Sequence, residues 1–186
     1  MASGSGRSSK KCLAYIVAAV ILQALIIAVF VVLFARVRTP KVRLGSVSIE
    51  NLNENSNSSN PSFNLKVKAQ VTVKNTNFGH YKFENTTATV SYRGTEVGEA
   101  DIVKARAKAR TTKKFDVTFS LHSNKVSSNS QLSNDLKSKN LTFSVHANLH
   151  GKVHLLKVFK RKKSAEMNCS FVVDTSAKSI HDLSCK

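Results

Sequence analysis

An antiparallel β-sandwich carried behind a single membrane-spanning helix is the fold predicted for this 186-residue chain. Two features predict it: an unbroken apolar run from Leu13 to Ala35, and three later stretches in which apolar and polar residues alternate strictly. A period of two gives a strand one buried and one wet face. Many such strands separated by turn residues must pair sheet on sheet to bury their apolar faces.

The apolar run reads LAYIVAAVILQALIIAVFVVLFA and contains no charge, proline or glycine. As an α-helix it covers the roughly 30 Å hydrocarbon core, and its backbone satisfies itself in lipid. Tyr15, Phe30 and Phe34 lie toward its ends, where rings favour the interface. The run exceeds the usual signal-peptide h-region of about 7–15 residues and no small-x-small cleavage site closes it. No face is polar, unlike the helices of soluble domains. The expected organisation is a short, disordered basic tail over 1–11, a transmembrane helix over 12–35, and one domain over 36–186.

Val42 to Leu52 is expected to form the first strand, followed by an Asn/Ser loop closed by Pro61. Phe63, Leu65, Val67, Ala69, Val71 and Val73 then alternate with polar residues up to Lys74, and residues 75–79 turn the chain. Tyr81 to Arg93 and Glu96 to Val103 read as two weaker strands. Phe115, Val117, Phe119 and Leu121 form the second clear one. From Ser128 to Lys139 the spacing of Leu132 and Leu136 changes to four, which predicts a short amphipathic helix capped by Ser or Asn. Leu141 to Leu149 is the third clean strand, and Val153 to Phe159 and Met167 to Val173 complete the series. Seven to eight antiparallel strands with one short helix point to an immunoglobulin or fibronectin-III-like sandwich.

The chain carries a net charge of +18. The region after the helix holds 26 of the 29 Lys and Arg and all 11 acids, so it will be drawn to anionic partners. Two basic clusters stand out: Lys104, Arg106, Lys108, Arg110, Lys113 and Lys114, and Lys157, Lys160, Arg161, Lys162 and Lys163. No aromatic residues interleave with them to stack bases, and a membrane anchor opposes a nuclear role, so nucleic acid is not an expected partner. Anionic lipid headgroups, at about 1 kcal/mol per cation near the surface, or acidic wall polysaccharide are the expected ones; the alternative is a merely solvated face.

No catalytic constellation is present: there is no nucleophile elbow, phosphate-cradling glycine loop or paired-carboxylate motif. His146, His150 and His154 recur at intervals of four. On a strand that interval spans about 13 Å, too far to share an ion. They read as solvated strand histidines, and no metal, cofactor or enzyme activity is expected.

Cys12 sits at the membrane edge, and Cys169 and Cys185 are the two cysteines of the domain. If paired, they tie the C-terminal tail to the last strand, worth about 3 kcal/mol in the loop-entropy model; in a reducing compartment they stay two thiols. Asn57, Asn85, Asn140 and Asn168 open N-x-S/T sequons, but the abundance of Asn, Ser and Thr gives about three by chance. Three cations precede the apolar run and four follow it closely, which leaves orientation open.

Several motifs occur in order: Arg38–Thr39–Pro40–Lys41–Val42 after the anchor, FNLKVKAQVTVKNTN, SYRG at Ser91–Gly94, FDVTFSL at Phe115–Leu121, and the ending MNCSFVVDTSAKSIHDLSCK. In these the chain resembles the plant late-embryogenesis-abundant type 2 (LEA_2) family, in its membrane-anchored harpin-induced and disease-resistance-like branch. The family's Asn-Pro-Asn stands here as Asn75–Thr76–Asn77, so this turn lacks its proline. The resemblance implies a folded sandwich without enzyme activity, at the plasma membrane or an endomembrane, acting in stress or pathogen response. The resulting expectation is a single-pass anchored module, its domain outside the cytosol, that contacts anionic wall or lipid components or partner proteins through basic loops. The alternative is a cytosol-facing lipid-binding or membrane-contact module with reduced cysteines.

Overall fold

A computed structural model describes residues 6–57, 60–128, 130–155 and 159–186, and of 6–10 and 33–35 the backbone alone. The chain forms two compact units, Met1–Val37 and Arg38–Lys186. Helix α1 (Gly6–Ala35) begins within the basic tail expected to be disordered; Arg and Lys are good helix formers, so the apolar helix extends back through them. Its Lys11–Val32 stretch is long and apolar enough to cross a membrane, a property that signal sequences share.

The second unit holds ten strands among the described residues, all paired antiparallel. One sheet contains β1 (Lys41–Asn55), β2 (Ser62–Lys74) and β7 (Thr112–His122), in the order β1-β2-β7. The other is built on β8 (Asn140–Leu155) and β9 (Phe159–Asp174), with β10 (Ser179–Cys185) outside β9. Two short strands share the free edge of β8: β3 (His80–Phe83) pairs with its Gly151–His154 end and β4 (Thr86–Tyr92) with Phe143–Ala147. β3 continues to β6 (Ala105–Ala107), and β4 to β5 (Thr95–Ile102).

Alternation places the core between the sheets. On β2, Phe63, Leu65, Val67, Ala69, Val71 and Val73 are buried; on β8, Leu141, Phe143, Val145, Ala147, Leu149 and Val153 are. Phe63 meets Phe143 edge-on at 5.6 Å and Tyr92 at 6.2 Å, while Phe83 stacks on Phe115 at 6.0 Å; all three contacts cross from sheet to sheet. Helix α2 (Ser130–Lys137) covers one end with buried Leu132 and Leu136; position 129, where a cap would sit, lies outside the described residues.

The expected sandwich is present, with more strands than the seven or eight expected. Tyr81–Arg93 is two strands, because residues 84–85 carry the chain from one end of β8 toward the other. Leu141–Leu149 and the stretch beginning at Val153 are one strand, since Gly151 stays in register with Phe83 and Lys163. Positions 156–158 of the expected Val153–Phe159 strand are outside the described residues. β6 and β10 are too short or too irregular in polarity to show a period.

Candidate functional site

The sequence motif with the most internal structure is the turn Asn75–Gly79. Asn75 and Asn77 are buried polar residues, and both are satisfied. Asn75 Nδ2 donates to the carbonyls of Gly79 (2.8 Å), Lys108 (3.0 Å) and Ala107 (3.2 Å), stapling the turn to the segment after β6. Asn75 Oδ1 accepts the Asn77 N–H and Asn77 Nδ2. Asn77 in turn holds Arg38 by both backbone groups. Without proline to preset the turn, these side-chain bonds fix it. Next to Asn77, Phe78 is 55% exposed under the Arg110 guanidinium, 4.8 Å from the ring centre.

The other end carries a second polar junction. Arg93 and Gly94, both with positive φ, make the tight β4–β5 hairpin turn. Arg93 grips Asp135 of α2 through Nε (3.0 Å) and Nη2 (3.1 Å), and Tyr92 Oη donates to the same carboxylate at 2.6 Å. Burial first, then that hydrogen bond, pushes the Tyr92 phenol up to about 12. The SYRG motif is thus a hairpin turn that docks the helix, with a groove of about 480 Å³ beside it.

The two basic clusters are not two patches, and they mix loop and strand positions. Lys104 follows β5, with its N–H bonded to Asn85 Oδ1; Arg106 lies on β6, Lys108 and Arg110 in the following turn, and Lys113 and Lys114 on β7 of the other sheet. In the second cluster Lys157 lies outside the described residues, while Lys160 to Lys163 are in β9. Strand alternation divides these four. Lys160 and Lys162 face outward, whereas Arg161 and Lys163 share the parity of buried Ala165 and Met167.

The register reunites one residue of the first cluster with two of the second. Arg106 is opposite Lys82, Lys82 opposite Lys152, and Lys152 opposite Lys162. Four exposed cations therefore form one row across β6, β3, β8 and β9. Beside it runs a second row of His80, His154 and Lys160. The two imidazoles stack at 4.9 Å. Partial burial first, then neighbouring positive charge, holds both below the ordinary histidine range: Arg106 and Lys82 act on His80, and His80, Lys82, Lys160 and Lys152 act on His154. On the opposite flank, Glu84 and His150 join Lys152, Lys162 and Lys163 around a shallow groove of about 330 Å³.

Tyr81 and Gly151 hold this register. Tyr81 is fully buried and its hydroxyl lies 2.7 Å from the Leu149 carbonyl and 3.1 Å from that of Lys163, joining β3 to β8 and β9. A Cβ on Gly151 would stand 2.6 Å from the Tyr81 ring and closer still to the Lys82 carbonyl. Only glycine admits the ring there.

His146 and His150 point to solvent and bond Asn168 (2.6 Å) and Ser164 (2.9 Å) across the β8–β9 ladder. No metal-holding group of His, Cys, Asp or Glu occurs among the described residues. Cys169 and Cys185 are joined by a disulfide at a paired position of β9 and β10, and Cys12 is free. Asn85, Asn140 and Asn168 are exposed. Asn85 Oδ1 accepts the Lys104 N–H, whereas Asn168 Nδ2 donates to Glu166. Asn57 is exposed, and the rest of its sequon lies outside the described residues. Lys82, Lys152 and His80 were not singled out by sequence reasoning: none belongs to a run of basic residues, and only pairing across strands gathers them.

A family model described as LEA_2, late embryogenesis abundant protein, matches residues 70–170. A late embryogenesis abundant protein of Arabidopsis thaliana is 28% identical over 178 residues, covering 95% of this chain and 83% of its own. Among solved structures, the solution structure of an Arabidopsis thaliana protein aligns with a TM-score of 0.40 at 14% identity, over 72% of this chain and 82% of its own. A crystal structure of an Archaeoglobus fulgidus protein aligns with a TM-score of 0.39 at 10% identity, over 69% and 95%.

Proposed function

This chain belongs to the LEA_2 family of late embryogenesis abundant proteins, and from that premise we propose that it is a non-enzymatic β-sandwich, anchored at the plasma membrane by α1 with its domain outside the cytosol. It acts there in plant stress or defence by binding anionic wall or lipid components, or partner proteins. The family supports the stress-related role. The observation that carries the binding role is the row Arg106–Lys82–Lys152–Lys162, none of which takes part in an ion pair among the described residues. Like charges placed directly opposite across strands are destabilising, so this arrangement is not explained by stability.

The apolar helix, long enough to span a bilayer, supports the anchor, and two features support the extracellular side: the Cys169–Cys185 disulfide, which persists in oxidising compartments, and exposed sequon asparagines. The test is a glycosidase shift on the full-length protein made in plant cells, with Asn57→Gln and Asn168→Gln as controls. A shift abolished by those changes is the expected result. If none is seen, protease digestion of sealed membranes decides, and a domain protected only from the cytosolic side of the membrane upholds the reading. A domain degraded by protease added to the cytosolic face overturns it.

A further inference from the structure

We infer that the outer face of β6, β3, β8 and β9 binds a linear acidic polysaccharide laid across the strands, one negative charge per repeat unit seated along the row Arg106–Lys82–Lys152–Lys162. This rests on the anion-binding role proposed above and narrows it to one ligand class and one face.

Geometry selects a chain over a surface. Neighbouring strands lie about 4.8 Å apart, so three gaps set four cations along a line of about 14 Å. That line runs perpendicular to the strands, where directly opposite residues share a face. On its flanks lie hydrogen-bonding groups of the kind that suit sugar hydroxyls: the His80–His154 stack on one side, and His150 with Ser164 on the other. Glu84 lines the groove beside the row without an ion pair to it among the described residues, and it narrows the cationic track on that flank.

A lipid leaflet is favoured by apolar insertion together with charge, and a single-stranded nucleic acid by exposed rings for its bases. This face supplies no apolar insertion and no exposed Phe, Tyr or Trp, and its His80 and His154 rings are stacked on each other. The exposed Phe159 has the inward parity of Ala165 and Met167, and the exposed Phe78 belongs to the Asn75–Gly79 turn. A mobile leaflet would also respond to total charge wherever it lies, whereas a linear chain responds to the order of the row.

The experiment uses the full-length protein in phosphatidylcholine nanodiscs, titrated with polygalacturonate oligomers, alongside flotation with phosphatidylserine vesicles. Lys82→Glu/Lys152→Glu interrupts the row, and Lys113→Glu/Lys114→Glu makes the same charge change on β7 of the other sheet. Glutamates at 82 and 152 gain attraction to Arg106 and Lys162 on their outer sides but still face one another as like charges; matching thermal melts check that the row variant is folded, and Lys82→Gln/Lys152→Gln serves if they differ. The expected result is a loss of about tenfold or more in oligomer affinity for the row variant and less than about twofold for the β7 variant. In the wild type, log affinity should fall against log salt with a slope of about −3 for four neutralised charges. Equal losses in the two variants overturn the inference, as does binding of vesicles but not oligomers, although an anionic partner then survives. Binding of neither probe overturns this inference and the broader anion-binding reading together.

Discussion

Asn77 clasps Arg38 by both of its backbone polar groups: Oδ1 accepts the Arg38 N–H at 2.7 Å and Nδ2 donates to the Arg38 carbonyl at 2.8 Å. A short polar side chain thereby pairs with the backbone of the first residue of the folded unit, as a neighbouring strand would. Replacing it with alanine removes both part-buried bonds to the Arg38 backbone and one of the two donors to Asn75 Oδ1, which keeps the Asn77 N–H, at about 1–3 kcal/mol for each backbone group left without a partner. Asn77→Ala should lower stability by about 2 kcal/mol or more in urea unfolding. Asn77→Asp should be no better, because a carboxylate would face the Arg38 carbonyl and Asn75 Oδ1. A variant as stable as the wild type would show that the clasp is dispensable.

Tyr81 and Tyr92 both have phenols pushed up to about 12, by burial in the first place, with the Asp135 hydrogen bond second at Tyr92. A group whose pKa is raised on folding contributes stability that is complete below the unfolded value of about 10 and lost as pH rises toward about 12. Alkaline unfolding should therefore set in across that window. With tyrosines labelled at Cζ, NMR titration should show Asp135→Asn lowering the Tyr92 value while leaving it above 10, because burial remains. An unchanged Tyr92 would remove Asp135 from the account.

Cys169 and Cys185 close a loop with a sequence separation of 16. In the loop-entropy model a closure of that size contributes about 3 kcal/mol. Cys185→Ser should cost roughly that much in urea unfolding, and adding reductant to the wild type should cost the same. Hydrogen exchange should locate the loosening in β10, whose outer edge is unpaired in the sheet order. Equal stability with and without the bond would refute this.

His80 and His154 titrate below the ordinary histidine value in the folded protein. Over that range the unfolded chain binds more protons than the folded one, so stability rises with pH and falls as the medium is acidified below about 6.5. His80→Asn removes one of the two mutually repelling rings and should flatten the decline in melting temperature between about pH 7 and 5. A slope identical to the wild type would mean that other groups carry the acid sensitivity.

Much of the sandwich was legible because its signal is local. Phe63 to Val73, Phe115 to Leu121 and Leu141 to Leu149 each announce a strand within a dozen residues, and Leu132 with Leu136 announces α2. Two edge strands, β6 and β10, were not legible. In β10 neither face is buried, so residues 179–185 carry no alternation to detect. β6 has three residues, and it is a strand because Arg106 and its neighbours find β3. The clusters 104–114 and 160–163 were visible as charge, but contiguity in sequence misled. Successive residues of a strand point to opposite faces, so Lys162 keeps company with Lys152 and Lys82 rather than with Arg161.

The sequence by itself determined the apolar helix, the β class, the long strands with their inward residues and the excess of positive charge. These follow from composition and from periods of two or four, which are properties of neighbouring residues. Tertiary structure alone decided which cations share a row, what Asn75 and Asn77 hold, and that SYRG meets α2 through Asp135. Those relationships depend on strand register, which is set by burial on facing sheets and by fits such as Tyr81 over Gly151. A register joins residues far apart in the chain, and no local period records it.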